Sequence, residues 1–158
     1  MVDFLNPIER SERMSRIRGK DTKPEFVVRQ LLHANGFRYR LHRKDLPGRP
    51  DLVLPKHKLA IFVHGCFWHA HNCHIFTMPK TKTAFWKSKF QTNIERDIKN
   101  RDALVKGGWR VLYIWECAIS GKTRLANDEL FRQFRQFLKS QNLDTGEIEG
   151  SSAKPLGS

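Results

Sequence analysis

Residues 46–73 read LPGRPDLVLPKHKLAIFVHGCFWHAHNC. The turn signals Leu46-Pro47-Gly48-Arg49-Pro50 and Pro55-Lys56-His57 bracket a short apolar run, Leu52–Leu54, and a second run, Leu59–Val63, follows. Short apolar runs between turns that carry Pro and Gly are strand signals, so the stretch predicts a β-hairpin. The second run is apolar throughout, as in a strand covered on both faces. Beyond it, residues 64–83 are irregular and crowded with His, Cys, Trp and Phe.

Upstream of the hairpin, Phe37, Tyr39 and Leu41 alternate with Arg38, Arg40 and His42, the pattern of a half-exposed strand. Thr22-Lys23-Pro24-Glu25 opens a helix before it, with capping-box spacing from Thr22 to Glu25 and Pro24 in the first turn. Val27, Val28, Leu31, Leu32 and Ala34 give that helix an apolar face, and Gly36 ends it. Residues 8–18 (IERSERMSRIR) form a polar, basic helix with too few apolar residues for a core. Downstream, Ala84–Lys106 is a long helix with Phe90, Ile94, Ile98 and Val105 on one stripe, stopped by Gly107-Gly108. Trp109–Trp115 (WRVLYIW) is a central strand. A last helix from Asn127 or Asp128 buries Leu130, Phe131, Phe134, Phe137 and Leu138. The order α-α-β-β-β-α-β-α predicts an α/β fold, a mixed β-sheet flanked by helices.

The chain has 158 residues, 39% hydrophobic and 28% charged, enough apolar content for one domain with a real core. No run approaches the ~20 apolar residues of a membrane span and the N-terminus lacks an apolar signal core, so a cytoplasmic protein is expected. Lys and Arg number 29 against 16 Asp and Glu, a net charge of +13, which points to a polyanionic partner, nucleic acid first. The excess is concentrated: residues 1–49 hold twelve Lys/Arg against six acids, and 80–110 hold nine against three. From Gln141 the balance reverses, with Asp144, Glu147 and Glu149 against Lys154 in a stretch rich in Gly and Ser. Residues 141–158 therefore read as a disordered acidic Gly-Ser tail, residues 1–20 as a basic helix for DNA, and 21–140 as the folded domain.

Three cysteines cannot close a disulfide framework, so reduced thiols serve packing or a metal. Cys66 and Cys73 bracket His69 and His71, His74 lies just beyond, and Cys117 follows the central strand. Four of the seven histidines fall within 64–74, and this clustering of thiolate and imidazole favours a structural zinc over scattered packing roles. Cys66, His71, Cys73 and Cys117 would make a closed four-ligand site, although spacing does not choose among His69, His71 and His74.

Asp51 opens a hairpin strand directly after a turn, a position from which a carboxylate can bind a divalent cation. The next strand delivers His64 and His69, and a histidine beside a metal-bound phosphate can activate water or protonate a leaving group. Asp97 on the long helix could orient such a histidine. Judged alone, Glu25 is a capping residue and Asp97 an i, i+4 partner of Arg101. Phe67-Trp68 and Phe85-Trp86 sit among Lys80, Lys82, Lys87 and Lys89, and large rings between cations suit stacking on bases or wedging between them. Phe85 fits equally a ring packed beneath the loop.

LPGRPD (46–51), IFVHGCFWHAHNC (61–73), FWKSKFQTNIERD (85–97) and GWRVLYIWEC (108–117) together resemble the very-short-patch-repair (Vsr) family of DNA mismatch endonucleases, from about Met14 to Gly121. The resemblance implies a restriction-endonuclease-like core with a structural Zn²⁺. It implies Mg²⁺-dependent nicking of duplex DNA 5′ of the T in a T:G mismatch left by 5-methylcytosine deamination. By this likeness Asp51 and the Val63 backbone carbonyl hold Mg²⁺, His69 assists the attack with Asp97 behind it, and Glu25 and His64 complete the site. Cys66, His71, Cys73 and Cys117 become the zinc ligands. Phe67, Trp68 and Trp86 become the rings that enter the duplex, Met14 probes the minor groove, and Lys89 and Asn93 contact bases. The family likeness also implies a monomer on double-stranded DNA in a bacterial cytoplasm, at the nucleoid, with mismatch-repair proteins as partners. Val63 stands where the family pattern has Thr, Ala70 replaces a histidine, and no acid-x-Lys element follows Asp51. The rivals are a zinc-stabilised DNA-binding module without catalysis and a restriction endonuclease that cuts paired DNA.

Overall fold

A computed structural model describes residues 22–151. Met14 and the expected helix over 8–18 lie outside the described residues. The elements in chain order are α1 (Lys23–Ala34), β1 (Arg40–Leu41), β2 (Leu52–Leu54), β3 (Leu59–His64), α2 (Thr83–Lys106), β4 (Arg110–Trp115), α3 (Asn127–Lys139) and β5 (Thr145–Ile148). They build a five-stranded mixed sheet in the order β1-β2-β3-β4-β5. The first two pairings are antiparallel; β3·β4 and β4·β5 are parallel.

Helices cover both faces, which is why β3 and β4 are apolar almost throughout. Leu59, Ile61, Leu112 and Ile114 pack with Val28 and Leu32 of α1 and with Leu130, Phe134 and Phe137 of α3. Ala60, Phe62, Val111 and Tyr113 turn to the other face and meet Leu104 of α2. The parallel step from β3 to β4 needs a long crossover, and α2 with the loop before it supplies one. No helix among the described residues is long and apolar enough to cross a membrane.

Three expectations change. The alternation over 37–41 holds for Phe37 and Tyr39, which pack on the core, but Leu41 is exposed and pairing is confined to Arg40–Leu41. On α2, Ile98 is 43% exposed, while Phe90, Asn93 and Leu104 are the buried residues. The inward stripe of α2 therefore runs through Asn93 and Asp97, and Ile98, one residue (about 100° of helix turn) past Asp97, faces out.

The third change concerns the tail. The segment read as disordered from Gln141 carries β5, with Val111↔Thr145 to Ile114↔Ile148 in parallel register and Ile148 buried. Arg110 accounts for much of this order. Its guanidinium donates to the carbonyls of Phe137, Leu138, Ser140 and Leu143, so it caps α3 and steers the chain back onto the sheet. Ser151 N–H then donates to Thr123 O at 2.8 Å. Gly150 lies so close to Thr123 and the Cys117 carbonyl that a Cβ there would sit 2.4–2.5 Å from oxygen atoms.

Candidate active site and metal centre

The hairpin ends where its chemistry begins. β1 and β2 pair through Leu41↔Leu52, and one residue further His42 N–H donates to the Asp51 carbonyl at 3.2 Å. The carboxylate of Asp51 turns inward and its Oδ2 accepts from Val63 N–H at 2.7 Å. Antiparallel register (Leu52↔Ile61) extended two residues sets Val63 opposite Pro50. Proline has no N–H, so the Val63 carbonyl, on the same strand edge as its N–H, faces a position that cannot donate to it.

Helix α1 brings Glu25 to this corner. Thr22 Oγ1 accepts from Glu25 N–H at 3.3 Å, so the backbone half of the cap forms. The Glu25 side chain does not reach back to complete a capping box. It is 1% exposed and its Oε2 takes bonds from Arg29 and, at 2.8 Å, from His42 Nε2. Donor atoms of Glu25, His42 and Asp51 lie within 4.8 Å of one another, a group that could hold a metal ion. Burial, then the neighbouring Glu25 carboxylate, push the Asp51 carboxyl well above the usual carboxylate range.

One residue past Val63, His64 ends β3 on the α2 side. Its ring stacks on His69 with centroids 3.8 Å apart and planes 3° from parallel. His69 Nδ1 meets Asp97 Oδ2 at 2.5 Å. Asp97 is thus the partner of His69 and not of Arg101, which turns to Asp102. With Nδ1–H donated to a carboxylate, Nε2 of His69 is the atom left to accept a proton. His64 Nδ1 is buried with no hydrogen-bond partner among the described residues. Burial, with His69 and Arg96 nearby, holds this imidazole well below its ordinary value, hence neutral.

A second cluster lies beyond the loop turn. Cys66, His71, Cys73 and Cys117 bring donor atoms within 4.8 Å of one another. Each histidine that spacing left open has its own partner: His69 takes Asp97, His74 meets Thr123 Oγ1, and His71 points Nδ1 at Cys66 and Cys117 sulfur (3.5 and 3.7 Å). Burial pushes the Cys66 and Cys117 thiols up, a shift that a bound cation reverses. The His71 ring lies flat on Trp115, 4.0 Å between centroids, and its Nε2 meets Glu149 Oε1 at 2.7 Å. Gly150 N–H donates to Cys117 Sγ. The supposed tail therefore closes over this cluster.

The rings of the loop form a shelf. Phe67 contacts Trp68, Trp86 and Phe90 edge-on at 5.2–5.4 Å. Trp68 and Trp86 are half-buried in it, Lys89 is exposed beside it, and Phe85 stands 60% exposed rather than beneath the loop. Asn93 is only 4% exposed and donates to the Trp68 carbonyl at 2.9 Å, so it props the shelf from below. The contributions of His42, Arg29 and Glu149 were missed from sequence. Register brings His42 and long-range packing brings Glu149, whereas the i, i+4 spacing of Glu25 and Arg29 on α1 was a legible signal.

Fold and site together define an α/β protein that sets carboxylates and imidazoles at one sheet end, beside a sulfur–imidazole cluster, in a strongly basic chain. The sequence model of the family described as DNA mismatch endonuclease Vsr matches residues 2–75. The DNA mismatch endonuclease Vsr of Escherichia coli K12 is 39% identical over 94% of this chain and 97% of its own length. The type II nicking enzyme V.XorIIP of Xanthomonas oryzae pv. oryzae is 49% identical over 76% of the chain and 88% of its own. The type II nicking enzyme V.NmeAIP of Neisseria meningitidis is 43% identical over 86% and 96%. The chain belongs to the Vsr family of DNA mismatch endonucleases, and the likeness extends on both sides of the Met14–Gly121 stretch.

Proposed function

We propose that this chain nicks one strand of duplex DNA on the 5′ side of the T in a T:G mismatch by Mg²⁺-dependent phosphodiester hydrolysis, on a restriction-endonuclease-like core held by a structural Zn²⁺. The observation that carries the reading is the continuity of β3: Val63 donates to Asp51, and the next residue, His64, stacks on the His69–Asp97 pair. A cation-binding carboxylate and a proton acceptor are thereby set by one strand.

The donor set suits the ions. Asp51, Glu25 and the Val63 carbonyl offer hard oxygens, and a cation among them relieves the repulsion that drives the Asp51 carboxyl up. Mg²⁺ held there would supply positive charge to the phosphoryl and leaving oxygens. Three sulfurs and an imidazole suit Zn²⁺, and four protein ligands make a closed, structural site.

The chain's own residues supply the remaining steps. His69 Nε2 takes a proton from water as the water oxygen attacks phosphorus in line. The P–O3′ bond breaks, its electron pair leaves with O3′, and O3′ takes a proton from a second water, leaving a 3′-hydroxyl and a 5′-phosphate. Asp97 fixes the tautomer of His69 and stabilises the imidazolium. Neutral His64, flat against His69, holds the ring without placing a like charge beside it. Phe67, Trp68 and Trp86 wedge into the stack at the weak pair, where unstacking costs a few kcal/mol. Lys89 and its basic neighbours hold phosphates.

The test is an end-labelled duplex with one T:G pair and its fully paired control, each with and without Mg²⁺. Cutting of the mismatch alone, and only with Mg²⁺, supports the proposal. Binding without cutting would mark a DNA-binding module, and equal cutting of both duplexes a restriction enzyme.

A further inference from the structure

His42 occupies a place that neither its strand pattern nor the proposed Asp51 site accounts for. It stands opposite Asp51 in the ladder, just past the last pair of β1 and β2. Its φ is +48°, a left-handed conformation that residues with a Cβ adopt at steric cost, histidine less rarely than most. Such local strain concentrates where a side chain must be aimed. Here the aim is at the carboxylates: Nε2 lies 2.8 Å from Glu25 Oε2, in the three-residue group whose donor atoms fall within 4.8 Å of one another. Ligands ~2.1 Å from one octahedral ion sit roughly 3–4.2 Å apart, so the three donors fit a single cation with little movement.

The alternative role for His42 is to share Glu25 with Arg29, since both contact Oε2. Arg29 already supplies that carboxylate with a permanent positive charge from the same helix. A second partner at the cost of a left-handed backbone is better explained by a ligand role. Nitrogen also changes which ion the corner prefers. Carboxylates and carbonyls alone suit Mg²⁺ and Mn²⁺ alike, whereas an imidazole nitrogen favours the first-row transition ion over Mg²⁺.

We infer that His42 adds an imidazole nitrogen to the Asp51, Glu25 and Val63 oxygens around this cation, and that the corner binds Mn²⁺ in preference to Mg²⁺. The inference rests on the reading that Asp51 holds the cation.

The probe is Mn²⁺ titrated into full-length, zinc-loaded protein without DNA, followed by electron paramagnetic resonance, with Mg²⁺ as competitor. Wild type binds Mn²⁺ at least tenfold more tightly than Mg²⁺, and the bound ion shows spin-echo modulation from an imidazole nitrogen. His42→Gln and His42→Ala lose the modulation and most of the Mn²⁺ advantage, while Mg²⁺ affinity falls less than threefold. His69→Ala keeps the modulation. Oxygen-only coordination in wild type, or nitrogen modulation that survives His42→Ala, overturns the inference. If either occurs while Asp51→Asn still abolishes Mn²⁺ binding, the cation site stands and only the role of His42 falls. Mn²⁺ binding that ignores Asp51→Asn overturns both.

Discussion

Asp51→Asn should make the protein more stable when no divalent ion is added. The amide keeps an oxygen for the Val63 N–H and nearly the same volume, so the change isolates charge. Two carboxylates with oxygens within 4.8 Å of each other repel by at least 332/(20 × 4.8), roughly 3.5 kcal/mol at an effective dielectric constant of about 20. The Arg29 guanidinium on Glu25 offsets part of that, leaving a net gain of about 1–2 kcal/mol. For a chain of this length, that raises the midpoint of thermal unfolding by about 2–8 °C. The sign with pH follows from the raised Asp51 carboxyl. Its contribution to stability is complete below the unfolded value of about 3.9 and is lost as pH rises through the folded one. The advantage of Asn therefore grows as pH climbs above about 4, then levels off. Mg²⁺ or Mn²⁺ should raise the wild-type midpoint and leave the variant's unchanged. Calorimetry of zinc-loaded protein across pH 4–8 is the assay. A variant no more stable than wild type at pH 8 would refute the claim that Asp51 sits in unrelieved repulsion.

Gly150→Ala tests the packed tail: the new Cβ must displace Thr123 or the Cys117 carbonyl, and the cost should be about 1–3 kcal/mol in denaturant unfolding. A neutral substitution would mean that residues 149–151 do not close on the cluster. Zinc content measured by atomic emission should be about one per chain and lost in Cys117→Ser, while Glu149→Gln, which weakens the carboxylate behind His71, should lower zinc affinity about tenfold. Unaltered zinc affinity in the Glu149 variant would remove it from the site. His64 is held neutral, so its contribution is present above the unfolded value of about 6.5 and lost as pH falls through its depressed folded one. Between pH 7.5 and 5 the unfolding midpoint of wild type should fall more than that of His64→Asn, and parallel curves would count against a buried neutral ring.

The strand framework was readable because β2, β3 and β4 are short apolar runs between turn residues, and α1 and α3 carry apolar faces at helical spacing. The stripe of α2 was misread for a functional reason. Asn93 and Asp97 occupy inward positions that periodicity assigns to apolar residues, because they serve Trp68 and His69. β5 was invisible because its sequence, Thr-Gly-Glu-Ile, has one apolar residue. Its order comes from an open edge of β4 and from Arg110, thirty-odd residues away. Asp51, His69 and the three cysteines could be singled out by chemistry and clustering. His42 could not, since only the pairing of β1 with β2 reveals that it stands opposite Asp51.

Single-turnover nicking of a T:G duplex by Asp51→Asn and wild type, at saturating protein and Mg²⁺, bears most directly on the central claim that this carboxylate holds the ion that makes strand cleavage possible. The variant should bind the duplex within about threefold of wild type and cut at least 10³-fold more slowly, the scale expected when a major electrostatic contribution is removed. A variant that cuts within tenfold of the wild-type rate would contradict it.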